Sequence, residues 1–196
     1  TQAKTLFPYT TLFRSMEAAT SSGRLVGLPP VVGAGTRVLV LGSFPGAASL
    51  AARQYYGHAR NQFWPILAAL WPQHPLPDRG HYAARCDWLL ARGLGLWDVY
   101  AACERQGSLD ASIRNARVND FAGLRAQAPR LAAIAHNGGE SFRHAAAVRA
   151  SLGQGDGAAI ASLRLPSTSP ANASWSLDRK LQAWGETLAA FGLITN

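Results

Sequence analysis

The sequence predicts an α/β fold: a three-layer α/β/α domain around a central, mostly parallel sheet of about four strands. Three observations predict it. Short apolar, β-branched runs alternate with segments whose apolar residues recur at helical spacing, the order that builds βαβ units. Two of the runs, Val38-Leu39-Val40-Leu41 and Ala159 to Leu165, empty into glycine- or proline-containing loops, as strands do at the carboxyl edge of an open sheet. The 196 residues suffice for one domain with a substantial core, and no repeat or long linker divides them.

The elements follow in order. After a glycine- and proline-containing entry from Gly27 to Gly35, the first strand is Arg37 to Leu41, closed off by Gly42-Ser43-Phe44-Pro45-Gly46. Asn61 can cap the next helix, whose Phe63, Ile66, Leu67 and Leu70 face inward; Trp71-Pro72 ends it. Beyond Pro72, Pro75 and Pro77 a helix runs from Asp78 to Arg92 and stops at Gly93. Leu94 to Tyr100 is short, apolar and glycine-bounded, which suits a second strand. Ser108 to Asn119 is polar and Arg-rich, with Arg114 and Arg117 three apart, and reads as a surface excursion. A helix from Asn119 to Gln127 precedes Pro129. The third strand, Leu131 to Ala135, leads into His136-Asn137-Gly138-Gly139 and a helix from Glu140 to Ser151. Gly153 to Gly157 is a flexible turn into the fourth strand. A last helix from Ser174 to Phe191 carries a buried stripe of Leu177, Leu181, Trp184, Leu188 and Phe191.

Thr5 to Ser15 reads like the translation of a sequencing-adaptor oligonucleotide, and Met16, the only methionine, follows at once. Residues 1–15 are therefore expected to be an assembly artefact, and residues 16–196 a single domain. Leaving out Lys4 and Arg14 lowers the formal net charge from +8 to +6, and Lys180 becomes the only lysine. A basic balance suits a polyanionic partner, because phosphates exchange counterions for Lys and Arg. No stretch of ~20 apolar residues and no cleavable leader is present, so a cytoplasmic protein that meets no membrane is expected. Cys86 and Cys103 have no metal-ligand spacing, and a cytosolic setting disfavours a disulfide.

Two loops carry chemistry. Gly42-Ser43-Phe44-Pro45-Gly46, with the string Tyr55-Tyr56-Gly57-His58-Ala59-Arg60-Asn61-Gln62-Phe63-Trp64, and Leu165-Pro166-Ser167-Thr168-Ser169-Pro170-Ala171-Asn172 would face each other across a cleft. Together they resemble the first and second signature loops of the uracil-DNA glycosylase superfamily, with wording most similar to its hypoxanthine-DNA (deoxyinosine) glycosylase branch. The resemblance spans most of Arg37 to Phe191. It implies the same three-layer fold and an enzyme of base excision repair that everts a deaminated base from DNA and hydrolyses its N-glycosidic bond. A monomer acting on DNA with deaminated bases is expected. Branches with an iron–sulfur cluster need four thiolates, which two cysteines cannot supply, so no metal or other cofactor is expected.

Residue by residue, the resemblance makes Tyr56 the aromatic that stacks on the base, with Phe44 as second candidate. Relatives carry Asp, Asn or Glu where this chain has Phe44, so their usual water-handling side chain is missing. Asn61 is the nearest polar replacement and matches an asparagine that looks catalytic in the hypoxanthine branch; an amide orients water without acting as a strong base. Gly42, the backbone N–H groups of Ser43 and Phe44, and Asn137 are candidates for the base pocket, with His58 and His136 as possible acids. Ser167, Thr168, Ser169, Pro170, Ala171 and Asn172 form the segment that would enter the minor groove, hydroxyls toward phosphates and Pro170-Ala171 as a small wedge. Strand cleavage would need an amine for a Schiff base, and Lys180 sits far from the first loop in sequence, so a monofunctional enzyme is expected. The alternatives are a uracil or thymine mismatch glycosylase and a non-catalytic lesion binder. A small-molecule phosphate enzyme is disfavoured: no P-loop ending follows the first loop and no Gly-x-Ser-x-Gly is present.

Overall fold

The computed structural model describes residues 23–153 and 159–194. Residues 1–15 lie outside them, as does most of the turn expected between Gly153 and Gly157. In chain order the elements are β1 (Arg24–Val26), β2 (Val38–Gly42), α1 (Ala47–Ala52), α2 (Phe63–Leu70), α3 (Tyr82–Leu90), β3 (Leu94–Asp98) and β4 (Tyr100–Glu104). There follow β5 (Arg114–Val118), α4 (Leu124–Gln127), β6 (Ala133–Asn137), α5 (Gly139–Phe142), α6 (Ala145–Ser151), β7 (Ala161–Leu165) and α7 (Leu177–Ala190).

The four-stranded sheet has the order β3-β2-β6-β7 and is parallel throughout, as expected. Side chains alternate across a strand, so β2 serves two cores. Val38 and Val40 pack on one face with Phe63, Ile66, Leu67, Leu89, Trp184 and Leu188 from α2, α3 and α7. Leu39 and Leu41 pack on the other with Phe121, Leu124, Val148 and Leu152, beneath α4 and α6. These are the outer layers of the three-layer fold. α7 begins at Ser176, whose hydroxyl accepts from the Arg179 N–H, and its stripe is buried at Trp184 and Leu188. Leu177, in the first turn of α7, is instead 44% exposed.

Several elements differ from expectation. Leu94 to Tyr100 is not one strand: the chain leaves the parallel sheet after Asp98, crosses at Val99, and starts β4 at Tyr100 in a second, antiparallel sheet of order β1-β4-β5. The Ser108 to Asn119 excursion contains β5, an edge strand whose five residues are all exposed, so no buried face marked it in the sequence. α1 was not expected either. The Glu140 to Ser151 helix is broken at Arg143 and His144, and the helix near Asn119 is only the single turn of α4. No helix among the described residues is long and apolar enough to cross a membrane.

Candidate active site

Both signature loops leave the carboxyl ends of parallel strands, β2 and β7, and β6 between them contributes Asn137 to the same edge. A cleft of about 1170 Å³ opens there. Gly42, Ser43, Phe44, Tyr56, His58, Asn61, Asn137 and the whole Ser167–Asn172 segment line it, so of the residues singled out for base or DNA contact the structure brings all but His136 to one hollow.

Its floor holds a group that sequence reasoning missed. Asp98, the last residue of β3, pairs in register with Gly42 and lines the cleft. Its residue is 5% exposed and its Oδ2 is buried with no hydrogen-bond partner among the described residues. Burial, reinforced by the nearby Asp110 carboxylate, raises its carboxyl to about 8 against a weaker opposing pull from Arg105. Asp98 is thus largely a neutral acid at neutral pH. Gly42 leaves room for this carboxyl, because a Cβ there would collide with the Asp98 carboxylate oxygen unless the side chain shifted.

Tyr56 lies beside Asp98, with its hydroxyl next to the space above Gly42. One ring face is stacked on Phe63 at a centroid distance of 3.9 Å, and the residue also lines the cleft. Its φ is +55°, a left-handed backbone that costs a bulky residue about 1–3 kcal/mol. Phe44, the second stacking candidate, is only 6% exposed, with the Arg105 guanidinium 5.1 Å from its ring centroid, so little of that ring is free to meet a base.

Asn61 does two jobs at once. Its Oδ1 accepts from the Phe63 N–H at 3.0 Å and ties down the start of α2, although Gln62 occupies the cap position itself. A backbone N–H can only meet the oxygen of the amide, so the NH₂ end is the part left for the cleft. Asn137 is bound at both ends: its Oδ1 accepts from the Thr168 N–H and its Nδ2 donates to Thr168 Oγ1, each at 2.9 Å. Its side chain therefore latches the second loop to β6. Thr168 is fully buried, which removes its hydroxyl from any phosphate. Ser167 Oγ accepts from the Ser169 N–H and Ser169 Oγ from the Ala171 N–H, leaving both hydroxyl hydrogens for an anion. Pro170 and Ala171 stand exposed at the tip, and Asn172 closes the loop by donating to the Ser167 carbonyl. Gly138, at φ +111°, lets Ser167 approach, since a Cβ there would come within 3.1 Å of the Ser167 Cβ.

His136 does not reach the cleft. It is fully buried, and its Nδ1 lies 2.8 Å from Ser141 Oγ, whose single hydrogen goes to the Leu41 carbonyl. Nδ1 must therefore carry the proton. Burial lowers its imidazole to about 4, which keeps it neutral and structural. His58 is exposed at the mouth, with Nδ1 accepting from the Arg60 N–H. The backbone N–H groups of Ser43 and Phe44 donate to no partner among the described residues, while the Ser43 hydroxyl donates to Asp110 Oδ1 at 2.6 Å.

Lys180, far from the first loop in sequence, is close in space to its downstream helix. Its ammonium donates to Gln62 Oε1 at 2.7 Å and to the Asn172 carbonyl at 3.0 Å, and the Gln62 N–H donates to the Thr168 carbonyl at 3.0 Å. The side chain is 1% exposed and does not line the cleft. It pins the second loop to the start of α2. Among the described residues no three His, Cys, Asp or Glu side chains are grouped to hold a metal ion.

Comparison with known proteins places this architecture. The family profile described as Uracil DNA glycosylase superfamily matches residues 29–189. A hypoxanthine DNA glycosylase from Methanosarcina acetivorans is 34% identical over 154 residues, 79% of this chain and 92% of that protein. One from Methanosarcina barkeri is 36% identical over 124 residues, 63% of this chain and 77% of that protein. The solution NMR structure of a candidate uracil DNA glycosylase from Methanosarcina acetivorans superposes with a TM-score of 0.69 at 29% identity, covering 86% of this chain and 98% of that one.

Proposed function

Since the chain belongs to the uracil DNA glycosylase superfamily, we propose that it is a monofunctional DNA glycosylase that releases hypoxanthine from deoxyinosine and leaves the strand intact. The observation that carries this reading is the buried Asp98 carboxyl on the floor of the cleft, its Oδ2 without a partner among the described residues, beside Tyr56. A lactam edge presents a carbonyl acceptor next to an N–H donor. A neutral carboxyl offers the matching pair, O–H to O6 and C=O to N1–H.

In this reading the everted base lies on the free face of Tyr56. The bond between C1′ and the base nitrogen breaks with its electron pair passing to the purine, and negative charge collects on O6, where the Asp98 O–H receives it. The N–H groups of Ser43 and Phe44, which donate to no partner among the described residues, supply further fixed donors near the first loop. The Asn61 amide holds the incoming water by donating to its oxygen, a modest role that suffices when the sugar is already close to an oxocarbenium ion. Lys180 supports the monofunctional assignment, because its buried, doubly hydrogen-bonded amine does not line the cleft and is not free to attack the sugar. DNA is the substrate; Arg60 and Arg164 line the cleft, and the Ser167 and Ser169 hydroxyls offer donors to phosphate.

The test is base release from duplexes containing deoxyinosine, uracil or a thymine mismatch, with wild type and Asn61→Ser. Serine can still cap Phe63 but has no amide, so chemistry is separated from helix capping. We expect hypoxanthine release without strand cleavage unless alkali is added, and a loss of about 10²-fold in the variant with duplex binding retained. Retained lesion binding with no base released would instead assign a non-catalytic binder. Strand nicking without alkali would overturn the monofunctional reading.

A further inference from the structure

The cleft has two lips, and only the Ser167–Asn172 lip was anticipated as a DNA contact. The other is the turn after β4, where Ser108, Leu109, Asp110 and Ala111 line the cleft. Of the large apolar side chains that stand exposed among the described residues, Val26, Leu109, Val118, Phe142 and Leu177, Leu109 alone faces this hollow, and it is 58% exposed. The turn is held firmly. Asp110 Oδ1 accepts from Ser43 Oγ at 2.6 Å, Ser108 Oγ accepts from the Ala47 N–H at 3.0 Å, and the Arg105 guanidinium donates to the Pro45 and Gly107 carbonyls. The first loop and this lip therefore form one unit. Downstream, edge strand β5 carries exposed Arg114 and Arg117, neither in an ion pair among the described residues.

We propose that Leu109 is a second wedge: on duplex DNA it packs against the base exposed when its neighbour turns out into the cleft, while Arg114 and Arg117 hold phosphates of that strand. An apolar side chain fixed at the mouth of an otherwise polar lip has a partner of matching chemistry in the face of an unstacked base. Arg114 adjoins this lip, its guanidinium donating to the Ala111 and Ile113 carbonyls at 2.8 Å, and phosphates are the charge complementary to the cations of β5. The eversion then draws on both lips, with Pro170-Ala171 on one and Leu109 on the other. The inference rests on the glycosylase reading, and its test separates the two.

Leu109→Ala and Leu109→Met are compared with wild type on deoxyinosine in a duplex and in a single strand, with 2-aminopurine placed beside the lesion in the duplex. Leu109 is exposed, so neither change disturbs a core, and circular dichroism checks the fold. The expected result is a loss of about tenfold in kcat/KM for Leu109→Ala on the duplex alone, the size of one base contact. The 2-aminopurine signal of the enzyme–duplex complex should fall in Leu109→Ala, with Leu109→Met close to wild type in both readouts. Equal loss on duplex and single strand would make Leu109 part of the base pocket, and no loss on either would remove it from DNA contact; both overturn the proposal. Failure of wild type to release hypoxanthine from either substrate would refute the glycosylase reading itself.

Discussion

Replacing Asp98 with alanine is expected to slow base release by about 10²- to 10³-fold, the cost of removing a preorganised donor from developing charge. The neutral acid is the active form, so wild-type activity should fall as pH rises through about 8, where the Asp98 proton is lost. Asp98→Asn keeps a donor and an acceptor in place of the acid. It should retain part of the rate and lose that inflection. Stability supplies an independent readout of the same titration. In the unfolded chain an aspartate ionises near its model value of 3.8, whereas in the folded protein it holds its proton to about 8. The folded state binds the extra proton between those limits, so this residue's contribution to stability declines as pH rises from about 4 to about 8. The slope is at most ~1.4 kcal/mol per pH unit. Asp98→Asn abolishes that slope and should be more stable than wild type above pH 8, as for a group kept at an active site at the expense of the fold. Denaturation of both proteins from pH 4 to 9 measures the slope directly. A persistent inflection in the asparagine variant, or full activity in the alanine variant, would remove Asp98 from the chemistry.

The second large effect concerns Tyr56. Tyr56→Ala should lower kcat/KM for deoxyinosine roughly 5- to 150-fold, since base–aromatic stacking is worth about 1–3 kcal/mol. Tyr56→Phe keeps the ring on Phe63 and should stay close to wild type in binding. The left-handed backbone at Tyr56 sharpens the test, because a residue serving only the core gains nothing from φ +55°. Tyr56→Gly relieves the strain and should lose as much base release as alanine does. Equal activity of alanine and phenylalanine variants in single-turnover assays would leave the ring with a packing role alone.

Much of this molecule was legible from its residues. The strands β2 and β6 lie in the middle of a sheet covered on both faces, and such strands carry nearly continuous apolar runs; the edge strand β7, with Ser162 and Arg164, is more polar. The signature loops stood out because glycine, proline and serine punctuate the ends of those runs. Three features were not legible, each for a physical reason. β5 pairs with β4 through its backbone while all its side chains meet solvent, so neither alternation nor hydrophobicity betrays it. The break at Val99 follows from two sheets competing for one apolar stretch, which no single-strand pattern can express. Asp98 fell inside the single strand expected from Leu94 to Tyr100; its place on the cleft floor depends on Gly42, brought alongside by parallel register across a long crossover. The signal available was an acid directly after one apolar run and a glycine directly after another. Asn137 and Thr168 teach the converse lesson: residues of the signature strings hold one another, at 2.9 Å, to shape the loop.

The central claim is that an everted hypoxanthine rests on Tyr56 with its lactam edge at Asp98. A crystal structure of the protein with a duplex containing 2′-fluoro-deoxyinosine tests it most directly, because fluorine discourages the oxocarbenium ion and holds the base on its sugar. The account predicts the base outside the stack, its ring on Tyr56 and its O6 and N1 within about 2.6–3.2 Å of the Asp98 carboxyl. Hypoxanthine retained in the helix, or lodged in the cleft with that edge turned away from Asp98, would contradict it.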